Sequence, residues 1–262
     1  MGNKRYTTQL GAGLGMIPET IELLRIWDPK FSATSFANFA VSDGVFSSAT
    51  ARRTRNIVME MFAPRFMADG KNTAKRFQFL LNNQFPIDGL AQLFYIQTAR
   101  AQEMLADFVT EVYWPRYSAG AGNLNWTDAF DFIIRALDNG FMEKRWSDST
   151  IKKNSGYLVS ACADFGLLDE GRGKTRSIQH FSLRQEVALY LLHDLHFSGL
   201  GDMNVAQHHD WALFGLELGD VIQLVIKLGN DGHLVAQSSG TVIQISWKYK
   251  TMEECLNALV KR

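Results

Sequence analysis

Cysteine is scarce in this sequence, with only Cys162 and Cys255 among 262 residues. The two lie far apart and match no metal-binding or redox spacing, so we predict two reduced thiols and no disulfide framework. No apolar run approaches the roughly 20 residues that a bilayer span requires. The first ten residues, MGNKRYTTQL, lack the apolar stretch of a secretory signal. These absences predict a cytoplasmic protein that makes no contact with a membrane.

Catalytic motifs are also missing. The chain contains neither the HExxH motif of zinc proteases nor a GxSxG nucleophile elbow. Residues 173–175 (GKT) resemble the end of a phosphate-binding P-loop, but the earlier glycine of that motif is replaced by Leu168. The residues that follow predict a strand and not the helix whose N-terminus would hold the anion. We therefore expect no enzymatic activity and no nucleotide cofactor.

Histidines raise the question of a metal site, which the sequence does not support. His193, His196, His208 and His209 lack further ligands at the spacings of known sites. The adjacent His208 and His209 are not expected to face one site from a helix. We predict that they are surface or capping residues and that the protein holds no metal.

What the sequence does contain is typical of a globular protein, with 46% hydrophobic and 21% charged residues. The net charge is zero, but its distribution is uneven. Residues 52–76 hold seven basic and two acidic residues, and residues 172–184 hold four basic and no acidic ones. Residues 186–231 hold seven acidic residues and one basic residue. Such a chain can bind a polyanion with one part and balance its charge in another.

Periodicity predicts a mainly α fold with helix-turn-helix or winged-helix elements and short β-hairpin wings. The predicted helices span 18–27, 32–41, 47–62, 73–83, 87–113, 126–139, 147–165, 183–197 and 218–229. Strands are predicted at 167–168 and 177–181, and a hairpin pairs 233–237 with 241–247. The small and polar residues of 117–125 predict a boundary between an N-terminal helical domain (1–120) and a C-terminal domain (121–262) with one or two winged-helix units.

The first basic cluster follows a predicted helix-turn-helix. Ser32 and Ser47 or Ser48 are the predicted N-caps, and Pro64 the predicted stop. Apolar residues lie on one side of the second helix, and Arg52, Arg53 and Arg55 lie on the other, as in a recognition helix. Lys71, Lys75 and Arg76 follow and extend the candidate nucleic-acid site. The alternative is an amphipathic helix with a solvated basic face.

The second basic cluster follows the predicted helix 147–165. Lys152 and Lys153 lie on its outer arc, where Gly156 leaves room for close approach. A Gly-rich loop then carries Arg172, Lys174 and Arg176 between two short strands, the layout of a wing that contacts the DNA backbone. A plain surface hairpin is the alternative. The tryptophans, Trp126 among them, are interpreted as core anchors and not as base-stacking platforms.

Four segments resemble one known family: 5–27 (RYTTQLGAGLGMIPETIELLRIW), 51–66 (ARRTRNIVMEMFAPRF), 144–168 (KRWSDSTIKKNSGYLVSACADFGLL) and 240–249 (GTVIQISWKY). In their order along the chain and their pattern of residues, these segments resemble the BrxA family of the bacteriophage-exclusion (BREX) phage-defence systems. The resemblance implies a helical, winged-helix, DNA-binding protein without catalytic activity, encoded beside an ATPase, a DNA methyltransferase, a phosphatase-like protein and a Lon-like protein. It assigns no contact residues.

Three functions remain open. The leading hypothesis is a non-enzymatic protein that binds duplex DNA mainly through its phosphates. The second is a scaffold that docks other BREX proteins on the acidic stretch 186–231. The third is an RNA-binding, antitermination-like factor.

Overall fold

The computed structural model describes residues 6–12, 14–171 and 173–261, and it is mainly helical, as predicted. A 3₁₀ turn at Thr8–Ala12 comes first, and two π-helical segments, Ile57–Phe62 and Val109–Tyr113, follow further along. The α-helices of the first part of the chain are α1 (Ile17–Ile26), α2 (Ala33–Asp43), α3 (Ala51–Asn56), α4 (Ala63–Phe66), α5 (Asn72–Asn82), α6 (Ile87–Ala101), α7 (Glu103–Phe108) and α8 (Trp114–Ser118).

The rest of the described chain adds short strands to the helices. In order these elements are β1 (Asn123–Asn125), α9 (Trp126–Asp138), α10 (Asp148–Asp164), β2 (Thr175–Ser177), α11 (Gln185–Phe197), α12 (Asp202–Ala206), a 3₁₀ helix (His209–Phe214), α13 (Leu218–Asn230), β3 (Leu234–Ser239), β4 (Val242–Trp247) and α14 (Met252–Val260). Within the described residues, the chain forms two separate two-stranded sheets, β1–β2 and β3–β4.

Local sequence signals account for several of these boundaries. Ser32 caps α2, where its hydroxyl accepts the N–H of Ser35, and Ser147 caps α10 through the N–H of Thr150. Gly44 ends α2 at φ 68°, a left-handed conformation that glycine adopts without strain. The predicted apolar faces are also confirmed, because these residues are all buried: Thr54, Ile57, Val58, Met61 and Phe62 of the first basic helix, and Ile151, Leu158, Ala161, Cys162 and Phe165 of α10 and its end.

The helix that carries the N-terminal arginines departs from its predicted bounds. It begins at Ala51, capped by Thr50 and not by Ser47 or Ser48, and it continues past Pro64 to Phe66. Its middle turn is π-helical, with the N–H of Ala63 donating to the carbonyl of Val58, five residues earlier. This change of hydrogen-bond pattern accommodates a proline that has no N–H and whose ring would clash in a regular helix. The turn before the helix spans 44–50, which is longer than the three or four residues of a typical helix-turn-helix.

The predicted helix 87–113 is also divided. Its regular hydrogen bonding stops at Gln102, whose φ is −135° and ψ 81°, and resumes in α7. A π-helical segment then leads into α8. No turn residue marks this break in the sequence, so periodicity alone predicted one helix.

The small sheet beside α10 is formed by different segments of the chain from those predicted. β2 pairs antiparallel with β1, with Leu124 opposite Arg176, and Leu168 forms a single bridge with Ile178. The expected strand 177–181 is therefore wrong in position, since the strand lies at Thr175–Ser177. β1 was not predicted, because its three residues lie in a Gly-rich stretch that was interpreted as a linker. The order of elements around α10 is β1, α9, α10, the Leu168 bridge, a loop, and β2.

The C-terminal hairpin agrees more closely with its prediction. β3 pairs with β4 from Leu234 opposite Trp247 to Ser239 opposite Val242. Ile243 and Ile245 are buried and Gln244 is exposed, as the alternation predicts. Helix α14, which follows, was not predicted.

Ion pairs and a ring contact link the parts of the chain on either side of residue 120. Asp194 of α11 accepts hydrogen bonds from Arg76 at 2.6 Å and from Arg100 at 2.8 Å. The ring of Tyr6 packs against Phe132 at 6.0 Å between ring centroids. The division into domains 1–120 and 121–262 stays a prediction.

The segment before α1 packs closely on α10. A Cβ at Gly11 would lie 2.4 Å from the ring of Tyr157, and one at Gly15 would lie 2.4 Å from Cβ of Asp164. The N–H of Gly15 also donates to the carboxylate of Asp164 at 2.9 Å. These contacts hold one flank of α10 against the N-terminal region.

Candidate nucleic-acid interface

A groove lies between α10 and the loop 169–174. Its volume is about 570 Å³, and its lining includes three of the predicted nucleic-acid-binding residues, Lys152, Lys174 and Arg176. The remaining lining residues are Trp126, Gly156, Val159, Ser160 and Gly173. The fold thus brings one lysine from α10 and two basic residues from the following loop and strand to a single concave surface.

Hydrogen bonds from backbone and side-chain groups hold the basic loop in place. The N–H of Trp126 donates to the carbonyl of Lys174 at 2.6 Å, which joins the loop to the start of α9. Nη1 of Arg176 donates to the carbonyl of Asp169 at 3.1 Å, and the hydroxyl of Thr175 donates to Asn125 Oδ1 at 2.6 Å. Arg176 therefore contributes to the loop's structure as well as to its charge.

The lining of the groove contains three cations and no carboxylate among the described residues. Lys152 and Lys174 are exposed, and Arg176 is half-buried. Lys153 is exposed on the same helix but does not line the groove. Arg172, the remaining predicted residue of the loop, lies outside the described residues.

The N-terminal arginines do not line this groove. Arg52, Arg53 and Arg55 are exposed, as predicted, and Arg55 Nη2 donates to Asn38 Oδ1 at 3.4 Å. Arg53 approaches the sulfur of Met16 at 3.9 Å and lines a different cavity. That cavity also carries three acidic residues, Glu19, Asp164 and Glu170, which disfavour a phosphate ligand.

The three basic residues that follow have unlike environments. Lys71 donates to the carbonyl of Pro29 at 2.8 Å, and Lys75 is exposed. Arg76 is half-buried and ion-paired with Asp194 at 2.6 Å. Burial acts to lower the pKa of Arg76, but Tyr190 and Asp194 raise it above its usual value. Its guanidinium is engaged by Asp194, and Arg76 does not line the groove beside α10.

Three of the seven acidic residues in the stretch 186–231 are engaged within the protein, whereas Glu217, Asp220 and Asp231 are exposed, and the docking role of this stretch stays a prediction. Asp194 binds Arg76 and Arg100, and Asp210 is 1% exposed and binds Arg100 at 2.7 Å. Asp202 accepts the N–H of Ile245 at 2.8 Å and the indole N–H of Trp247 at 3.1 Å. These three carboxylates stabilise the fold and are not available to a partner.

The prediction that His208 and His209 are capping or surface residues is confirmed, because the side chain of His208 caps the 3₁₀ helix and His209 is 81% exposed. His208 is the extended N-cap of the 3₁₀ helix, and this backbone brings both rings to Asp210. Nδ1 of His208 lies 3.4 Å from Asp210 Oδ2, and Nε2 of His209 lies 3.5 Å from Oδ1. In the described part of the chain these three residues form a group that could hold a metal ion.

The carboxylate of Asp210 and Nδ1 of His208 already have hydrogen-bond partners within the protein. Arg100 donates to Oδ2 of Asp210 through both Nε, at 2.9 Å, and Nη2, at 2.7 Å. Nδ1 of His208 accepts the N–H of Asp210 at 3.3 Å. Burial acts to raise the pKa of Asp210, but the neighbouring His208 and Arg100 lower it below its usual value. The carboxylate is stabilised without a metal, and the absence of a metal requirement stays a prediction.

Trp126, which was interpreted from the sequence as a core anchor, lines the groove. It is half-buried, and its ring packs against Phe130 at 5.3 Å between centroids. A tryptophan at the first position of a helix is compatible with a core anchor, and only the pairing of β1 with β2 shows that it faces the basic loop. The nearest signal in the sequence was the Gly-rich boundary just before it.

Comparison with known proteins now adds to this geometry. In the part of the chain that the structure describes, no helix has both the length and the apolar character of a membrane span. No curated protein matches the chain. The model of the BrxA family matches residues 4–194, which include α10, the basic loop and β2 but not the segment 240–249. The chain therefore belongs to the BrxA family of the bacteriophage-exclusion phage-defence systems.

Proposed function

We propose that this protein is a non-enzymatic, cytoplasmic nucleic-acid-binding protein of phage defence that binds duplex DNA mainly through phosphates. The observation that carries the proposal is the groove beside α10, where Lys152, Lys174 and Arg176 converge without a carboxylate among the described lining residues. Phosphate contacts supply most of the affinity of a sequence-tolerant DNA-binding protein, and each requires a nearby cation.

The order of elements around α10 supports the same proposal. A strand, two helices, a short bridge, a loop and a returning strand follow one another from β1 to β2. This is the order of a winged-helix unit, with α10 in the place of the recognition helix and the loop 169–174 in the place of the wing. A recognition helix enters the major groove, and a basic wing contacts the adjacent backbone. Lys152 would then contact DNA from the helix and Lys174 from the wing.

The proposal includes no catalytic step. The described lining of the groove offers no histidine, cysteine or carboxylate that could act as a general base. The buried thiol of Cys162 is unsuited to nucleophilic work, because burial raises its pKa well above its usual range.

The decisive experiment is a binding series with three ligands of equal length: duplex DNA, single-stranded DNA and duplex RNA. We expect measurable binding to duplex DNA at 50 mM salt, weaker binding to duplex RNA, and no dependence on the sequence of the duplex. Stronger binding to duplex RNA would favour the RNA-binding alternative. No binding to any of the three ligands would contradict the proposal.

A further inference from the structure

The groove beside α10 is more apolar than phosphate contacts require. The half-buried Trp126 lines it together with the three cations, and Val159 also lines it with only 4% of its surface exposed. A phosphate is bound by hydrogen-bond donors and positive charge, and it gains nothing from an indole ring or an isopropyl group. The lining is suited to a ligand that has both an anionic part and a flat apolar part, which is the description of a nucleotide.

The indole of Trp126 is placed to contact such a ligand. Its ring packs against Phe130 and is otherwise half-exposed at the groove. The residue begins α9, and its backbone N–H is bonded to the carbonyl of Lys174, so the backbone that carries the ring is joined directly to the basic loop. Bases stack on aromatic side chains in many proteins that bind single-stranded nucleic acid.

Gly156 leaves the space that a nucleotide would occupy. A Cβ built at this helical glycine meets no atom within 4 Å, so the space in front of it is open. The groove volume of about 570 Å³ lies within the range of roughly 300–1,000 Å³ that is usual for small-ligand sites.

We propose that this groove binds one unpaired nucleotide of the bound DNA, with its base stacked on Trp126 and its flanking phosphates at Lys152 and Lys174. The inference rests on the proposed function and deepens it. A base inside an intact duplex is stacked on both sides and cannot reach the ring without leaving the helix. DNA that already contains an unpaired base avoids the free-energy cost of extrusion, so the protein should prefer it to a perfect duplex.

The test compares two DNA hairpins of the same sequence, one perfectly paired and one with a single extra thymine in the stem. Affinity is measured by fluorescence anisotropy at one salt concentration. We expect the bulged hairpin to bind about tenfold more tightly, in line with the usual effect of one base stacked on an aromatic ring. Trp126→Phe should keep this preference, and Trp126→Ala should abolish it.

A second variant guards against misfolding of Trp126→Ala. Gly156→Leu fits a helix and places a side chain in the open space, so it should remove the preference while leaving the fold intact. Equal affinity of the parent protein for both hairpins, or a preference that persists in Trp126→Ala and Gly156→Leu, would overturn this inference and leave the proposed function standing. Failure to bind either hairpin would instead contradict the proposed function itself.

Discussion

The backbone N–H of Trp126 donates to the backbone carbonyl of Lys174 at 2.6 Å. This bond joins the first residue of α9 to a basic loop that is 48 positions later in the chain, as the two residue numbers show. Because the bond uses backbone atoms only, it does not occupy the side chain of either residue, and both side chains can contact a ligand. Lys174 can therefore be replaced without loss of the attachment.

The first prediction concerns the groove lysines. Lys152→Ala with Lys174→Ala should weaken binding to every DNA sequence alike and lower the magnitude of the salt slope by about two, because each phosphate contact contributes about one. The unfolding free energy should change by about 0.5 kcal/mol or less, since both positions are exposed. Lys153→Ala is the matched control, because it removes an exposed lysine of the same helix that does not line the groove. Equal losses in the double variant and the control would contradict the groove assignment.

The second prediction concerns the salt dependence of the parent protein. Three phosphate contacts, one for each described cation of the groove, imply a roughly 40-fold loss of affinity between 50 and 200 mM salt, and six contacts imply about a thousand-fold loss. We expect the smaller value, with Arg52, Arg53 and Arg55 making no contact. The triple alanine variant of these arginines should then leave the salt slope unchanged. A thousand-fold loss that the triple variant reduces would place both basic clusters on one duplex.

The third prediction concerns the buried ion pairs. Arg100→Ala leaves the carboxylates of Asp194 and Asp210, which are 14% and 1% exposed, without this partner. Arg100 itself is partly exposed and Asp194 keeps Arg76, so the loss should be about 1–3 kcal/mol, the usual cost of depriving a buried carboxylate such as Asp210 of a hydrogen-bond donor, and the variant should unfold at a lower urea concentration. Arg25→Ala is the control, because its pair with Glu22 is exposed and contributes about 0.5 kcal/mol or less. A loss below about 1 kcal/mol in Arg100→Ala would contradict this account.

The fourth prediction concerns acid stability. His193 of α11 is fully buried, with its ring against Trp247 and Tyr249, and burial lowers its pKa to about 4. The unfolded chain therefore binds a proton between pH 6.5 and pH 4 that the folded chain does not. The free energy of unfolding should have its full contribution from the neutral His193 above about pH 6.5. It should fall by about 3 kcal/mol as the pH drops to 4. Asp210, whose pKa is also lowered, adds a separate loss below its usual titration range.

Urea titrations of the parent and of His193→Phe at several pH values measure this effect. The phenylalanine cannot be protonated, so the variant should lose less stability between pH 6.5 and 4 than the parent. Parallel curves for the two proteins would show that His193 does not control the acid response.

The fifth prediction concerns metal. Because Arg100 already neutralises Asp210, the group His208, His209 and Asp210 does not need an ion to be stable. Treatment with a chelator should leave the melting temperature unchanged, and added Zn²⁺ should not raise it. A clear change that disappears in His209→Ala would establish a metal site instead.

Local signals in the sequence predicted much of the helical framework. Ser32 and Ser147 were identified as caps, because a hydroxyl before an amphipathic segment satisfies an exposed N–H wherever it occurs. Pro64 was misjudged, because the π-helical pattern that admits it depends on packing and leaves no mark in the composition. The strand β1 was missed for a related reason: three residues form a strand here only because β2 pairs with them.

The candidate site was predictable in its charges but not in its geometry. The lysines and arginines of α10 and its loop were visible as a basic cluster, and three of them line one groove. The pairing of Arg76 with Asp194, which is 118 positions away, could not be read from the sequence. Nor could the position of Trp126, since both depend on long-range contacts.

Most buried positions of α10 differ from its groove-facing positions, and Val159, which is 4% exposed, belongs to both sets. Ile151, Ser155 and Leu158 are buried, whereas Lys152, Gly156 and Ser160 line the groove. Substitutions at these last three positions therefore change the ligand surface without disturbing the packing beneath it. Proteins that share this fold can diverge in what they bind by changing a few outer residues of one helix, and the groove could be redesigned in the laboratory by the same route.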